Sequence, residues 1–226
     1  MNYLQLVNRA RVECGVSGNA LATTQNQTGE NARFTSWVST AYVDVQSAKD
    51  DWNFMRGQFN VQINPGVQTI TAAATVPTLD NWKKDSFRLS IKVGADDFTE
   101  EQLLPCMDYD EWRNIYQYGT MRTTQSRPTV VAVHPSKAIG FGPIPDKTYR
   151  FIGEFYRKPV EFVSDDDQPS FSDRYHMAIV YKAMMYYGGF ESAPEVFSRG
   201  EYEFRRIMER LHAEELPTTM SGPPLA

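Results

Sequence analysis

Long apolar runs are missing from this sequence: nothing approaches the roughly 18 consecutive apolar residues of a membrane-spanning helix. The N-terminal segment MNYLQLVNRARVEC sets Asn2, Gln5, Asn8, Arg9 and Arg11 where a secretory signal needs an apolar core, so it does not read as one. A soluble protein, made and assembled in a host cytoplasm without a membrane partner, is the expectation. Cysteine is scarce too. Cys14 and Cys106 lie far apart with no CxxC pair and no Cys/His spacing suited to zinc, so two reduced thiols are expected, with a single disulfide as the alternative. No Lys/Arg cluster is present. The 23 basic and 28 acidic residues are interspersed, for a formal net charge of -5, which leaves no footprint for binding a phosphate backbone. A few basic residues facing DNA in an assembly are neither demanded nor excluded. The GxSxG, Walker, GxGxxG and HExxH patterns are all absent, so the sequence carries no motif for an enzyme or a cofactor.

What is there is an ordinary globular composition, 41% hydrophobic and 13% aromatic over 226 residues, enough for one domain with a real core or for a core with an insertion. Tyr3, Val7, Ala10 and Cys14 fall at helical spacing with Arg9, Arg11 and Glu13 outward, and Gly15 and Gly18 stop the helix. After a polar loop, Thr28 is the expected N-cap of a second helix, with Glu30 in its first turn. Phe34, Val38, Ala41, Val45, Ala48 and Trp52 then step by four and three, a stripe buried along one side of a bundle.

From Trp52 onward the character changes. Val, Ile, Thr and Phe dominate, punctuated by NPG (64–66), VPTLDNW (76–82) and GADD (94–97). FRLSIKV (87–93) alternates with Phe87, Leu89, Ile91 and Val93 on one face, as a half-buried strand does. DYDEWRNIYQY (108–118) reads as a short helix with acids at its start. PTVVAVH, KAIGFGPIP and TYRFIGEFYRKP follow as strand segments, the last two set around a Pro143-x-Pro145-Asp146 turn. Helical period returns after Pro169, with Gly188-Gly189 as the expected stop. A last amphipathic helix runs from about Pro194 to Glu215. The fold class expected is therefore α+β: terminal helices 1–55 and 166–215 packed as one bundle, an inserted β-rich, sandwich-like domain at 56–165, and a C-terminal arm at 216–226.

The stretch VSDDDQPSFSDRYH (163–176) is the one place that raises a metal question. A calcium loop starting at Asp165 would put Pro169 at its fifth position, Ser170 at its glycine position and His176 at its final glutamate, which rules the loop out. Three adjacent acids in extended backbone also point to alternating sides. His134, His176 and His212 are the three histidines, and none is spaced to share a metal. The corner reads as a solvated link leading back into the bundle, with His176 packed at its end, and no metal site is expected. Glu100 and Glu101 in DDFTEE read as a solvated loop.

In order, the helix ending in Trp52-Asn-Phe-Met-Arg56, the segment RPTVVAVHPSKAIGFGPIPDKTYRFIGEFYRKPVEF and the loop DDDQPSFSDRYH opening the last helices resemble head-to-tail adaptor (connector) proteins of tailed bacteriophages, including short-tailed ones. The resemblance covers nearly the whole chain and rests on structural signatures. It implies a non-enzymatic virion protein at the head-tail junction, forming a ring, commonly a dodecamer, docked beneath the portal protein. Such a ring continues the channel through which genomic DNA passes and presents a surface to the next tail component, a nozzle or tail tube protein. It also implies a C-terminal segment reaching along the portal, here Leu216, Pro217, Met220, Pro223, Pro224 and Leu225. Two other readings compete: a β-sandwich module of a phage structural protein binding glycan or peptide, and a metal-dependent hydrolase centred on Asp165–Asp167 and His176.

Overall fold

The computed structural model describes residues 1–91 and 100–217. Along the chain run α1 (Tyr3–Glu13), α2 (Gly29–Ser47), β1 (Arg56–Ile63), β2 (Thr69–Ile70), α3 (Ala72–Thr75), β3 (Leu79–Ser90), β4 (Gln102–Leu103) and β5 (Cys106–Met107). They are followed by α4 (Tyr109–Tyr116), β6 (Val130–Val133), β7 (Ile139–Gly142), β8 (Tyr149–Arg157), α5 (Met177–Phe190) and α6 (Pro194–Glu215). The fold is mixed α+β, and the chain divides into two compact units: Met1–Met55 with Pro159–Ala226, and Arg56–Lys158.

The helical unit is built on the stripe that the sequence displays. Phe34, Val38, Ala41 and Val45 of α2 are fully buried, as are Leu6, Val7 and Ala10 of α1 and Ile179, Ala183 and Met184 of α5. α1 begins with a reciprocal cap. Gln5 N–H donates to the Asn2 side chain at 2.9 Å, and Asn2 N–H donates to the Gln5 side chain at 3.0 Å. A cap of this kind contributes about 1 kcal/mol.

Several expectations for the helices need correction. Thr28 holds the N-cap position of α2 but its side chain makes no capping hydrogen bond. α2 ends at Ser47, so Ala48 lies exposed beyond it. Trp52 is buried from the following loop, its indole N–H donating to the Gln46 carbonyl at 3.1 Å. Arg11 turns inward rather than outward, because its guanidinium donates to the Asn19 carbonyl at 2.8 Å and ties the polar loop to α1. α5 runs through Gly188 and Gly189 to Phe190 instead of stopping there. Gly188 serves a close crossing: a Cβ on it would stand 2.7 Å from the backbone nitrogen of Phe197 in α6.

The return to the helical unit falls at Pro159, earlier than the expected boundary at 165. The cause is local. The Gln46 side chain grips Val160 from both sides, donating to its carbonyl at 2.8 Å and accepting from its N–H at 3.2 Å. Phe162 stacks on Tyr42 at 4.3 Å and on Tyr3 at 4.8 Å between ring centroids. Residues 159–165 are thus held by α1 and α2.

The second unit contains two sheets in the orders β1-β8-β3-β4 and β2-β7-β6-β5. Central strand β8 turns Tyr149, Phe151, Gly153 and Phe155 toward a core shared with Phe59 of β1, Trp82, Phe87 and Leu89 of β3, Val131 of β6 and Phe141 of β7. Phe141 and Phe151 meet edge to face at 5.1 Å, so the two sheets share one aromatic core. β3 starts at Leu79, inside the stretch expected to be punctuation. Trp82 anchors it by donating its indole N–H to the Lys137 carbonyl at 2.7 Å. Val93 of the expected FRLSIKV strand lies outside the described residues. β7 and β8, set around the Pro143–Asp146 turn, belong to different sheets, so the turn is a crossing between sheets. The Asp146 carboxylate accepts from the Tyr149 hydroxyl at 2.6 Å at the start of β8. Cys14 and Cys106 are free thiols. Burial pushes the Cys14 thiol up to about 12, with Glu13 and Glu30 adding to it, so it stays protonated and inert at neutral pH.

Candidate functional site

The three aspartates at 165–167 lie in a tight turn rather than in extended backbone, closed by the Asp167 N–H donating to the Ser164 carbonyl at 3.0 Å, and each takes its own donors from the protein. Asp165 receives the Thr24 N–H at 2.7 Å and the Thr24 hydroxyl on the same carboxylate oxygen. Asp166 receives the Asn2 side-chain amide at 3.3 Å. Asp167 folds back on its own turn, accepting from the N–H groups of Val163 at 2.7 Å and Ser164 at 2.8 Å. The backbone joins in: Tyr3 N–H donates to the Asp167 carbonyl at 2.8 Å and Leu4 N–H to the Asp165 carbonyl at 3.2 Å.

These bonds fasten the first turn of α1 and the polar loop around Thr24 to residues 163–167. They also set the charge of Asp165. Hydrogen bonds from the hydroxyls of Thr23 and Thr24, then from the Thr24 N–H, hold its carboxyl below the usual range. Among the described residues no group of three or more His, Cys, Asp or Glu is gathered to hold a metal ion. The acids act as hydrogen-bond acceptors for the chain itself.

His176 closes the corner. It is 1% exposed, and its Nε2 donates to the Phe171 carbonyl at 3.1 Å. That bond places the ring proton on Nε2, so Nδ1 accepts from the Met1 nitrogen at 2.8 Å. Burial lowers its basicity foremost; the Phe171 carbonyl and Asp173, whose carboxylate lies 3.3 Å from Nε2, act in the opposite direction. A neutral histidine bonded on both nitrogens positions the entry to α5. Next to it, Tyr175 donates its hydroxyl to Glu214, and Arg174 pairs with the same carboxylate at 3.1 Å, which ties this turn to the end of α6.

Of the expected C-terminal arm, two residues are described. Leu216 packs partly buried against the helical core, its N–H donating to the His212 carbonyl at 3.2 Å, and its backbone is extended. Pro217 is exposed. Met220, Pro223, Pro224 and Leu225 lie outside the described residues. Glu100 is exposed in its loop, and Glu101 lies 3.6 Å from Arg88.

Periodicity alone did not announce three solvent-reaching aromatic residues at the end of α5 and along α6. Phe190 is 55% and Tyr202 68% exposed, and Phe197 also reaches solvent. Phe190 is backed by Trp37 at 5.7 Å and covered by the Arg33 guanidinium at 4.4 Å from its ring centroid.

The chain thus combines helical termini with an inserted two-sheet unit, and its corner acids are committed to holding the chain together. The family model of the SU10 adaptor protein matches residues 1–223. The chain belongs to the SU10 adaptor family and is a bacteriophage adaptor protein, a component of the virion. No curated protein matches it. Among the described residues no helix is long and apolar enough to cross a membrane.

Proposed function

We propose that this adaptor forms a closed ring, a dodecamer, docked under the portal protein at the head-tail junction and linking the phage head to the tail. The ring continues the channel for genomic DNA and offers its far side to a nozzle or tail tube protein. Its work is structural and non-enzymatic. Membership of the adaptor family across residues 1–223 is the observation that carries this reading.

Two surfaces suit it. A cyclic oligomer closes by head-to-tail contacts, so each subunit needs two unlike complementary faces. The exposed Phe190, Phe197 and Tyr202 give the helical unit aromatic side chains of the kind that interfaces favour. Leu216, held at the end of α6, and Pro217 start an arm whose Met220, Pro223, Pro224 and Leu225 dock in extended form on the portal.

The test is the light-scattering mass of the purified chain, alone and mixed with the portal ring of its phage, for the full chain and for a version ending at Leu216. A portal-dependent shift to a large complex, weakened by the truncation, supports the reading and assigns the arm. A mass indifferent to portal overturns it.

A further inference from the structure

In the sheet unit, α4 lies directly on β7. A Cβ on Gly140 would stand 2.6 Å from the Trp112 ring, so the indole rests on bare backbone. Beside it opens a cleft of about 390 Å³, lined among others by Tyr109, Trp112, Arg113, Tyr118, Arg122 and His134. That volume is at the small end of ordinary ligand pockets.

The lining is one-sided in its chemistry. It contains no Asp or Glu. Among the described residues Arg113 and Arg122 make no ion pair, although three acids, Asp108, Asp110 and Glu111, sit on or next to the same helix. The His134 Nδ1 accepts from the Ser136 N–H at 3.1 Å, which leaves the ring proton on Nε2 as a donor. Trp112 is 3% exposed, and its indole Nε1 is buried without a partner among the described residues. Flat rings border the same space: Tyr109 meets Trp112 at 6.1 Å, and Tyr118 is 58% exposed beside them.

Two guanidinium groups without an ion pair, the His134 Nε2 donor and the bordering tyrosine rings select one kind of guest. We propose that this cleft binds a small ligand with a flat aromatic body carrying a carboxylate or phosphate, stacked on the Tyr109 and Tyr118 rings with its anion on Arg113 and Arg122. The inference does not depend on the ring or the portal. Carboxylate and phosphate share the required chemistry, and a titration separates them.

The full chain has four tryptophans and therefore four indole N–H resonances in a nitrogen-15 spectrum, of which Trp112→Phe removes and so assigns one. Titrations use N-acetyltryptophan for the aromatic carboxylate, thymidine monophosphate for the aromatic phosphate, and inorganic phosphate as the bare anion. A saturable shift of the Trp112 resonance with either aromatic probe supports the proposal and names the anion. Losing one charge-assisted contact in Arg113→Gln or Arg122→Gln weakens that binding about tenfold or more. Both arginines are exposed, so the fold survives the change. No saturable shift with either aromatic probe, binding unchanged in both arginine variants, or inorganic phosphate binding as tightly as the aromatic probes would each overturn it.

Discussion

Gly188 and Phe197 bring α5 and α6 into backbone contact: a Cβ on the glycine would stand 2.7 Å from the Phe197 nitrogen and 2.9 Å from its Cα. The neighbouring Gly189 has nothing within 4 Å of the same position. Two adjacent glycines of one helix therefore differ in kind. Gly188 sets the spacing of a hairpin that Gly200 also serves, where a Cβ would meet the Tyr181 carbonyl at 2.9 Å.

Alanine scanning of this pair separates the two roles. Overpacking a tight site costs about 1–3 kcal/mol, against about 1 kcal/mol that alanine gains over glycine inside a helix. Because backbone obstructs the new methyl at Gly188, the upper end applies, and Gly188→Ala loses about 2 kcal/mol in urea unfolding. Gly189→Ala gains up to about 1 kcal/mol. Equal effects at the two sites would contradict the close crossing.

Asp165 gives a pH signature. Its carboxyl titrates lower in the folded chain than in the unfolded one, so its contribution is present above about pH 4 and is lost as pH falls through the folded value. Asp165→Asn therefore melts below the parent protein at pH 7, and the gap in Tm narrows in acid. A gap that does not depend on pH would show that the Thr23 and Thr24 bonds do not bear on its charge.

His176 acts in a different window. Its folded value lies below 6.5, so as pH drops past that point the unfolded chain takes up the proton first and stability falls. The groups facing the ring are the Met1 nitrogen, the Phe171 carbonyl and Asp173. His176→Gln flattens the Tm profile below about pH 6.5, while offering the Phe171 carbonyl an amide donor. An unchanged slope there would remove His176 as its source.

The sequence made some of this legible. The α2 stripe could be read because its period matches a helix with one buried side. FRLSIKV could be read as a strand because Phe87 and Leu89 alternate onto one buried face, which β3 keeps. The end of α2 was hidden because Trp52 continues the stripe while being buried from a loop through its indole bond to Gln46. Gly188-Gly189 looked like a stop because the need for a bare Cα lies in Phe197, on another helix. The acidic corner announced itself, but its partners did not: Thr24 meets Asp165 across 141 residues of chain. The cleft was not legible, since Trp112, Arg122 and His134 meet only when α4 settles on Gly140 of β7.

The most direct check is electron microscopy of the chain mixed with its portal ring. The account predicts a ring of this protein stacked coaxially beneath the portal, with Phe190, Phe197 and Tyr202 of α5 and α6 buried at interfaces and the residues after Leu216 extending onto portal subunits. Portal rings carrying no added density, or an added ring whose α5 and α6 stay fully solvated, would contradict it.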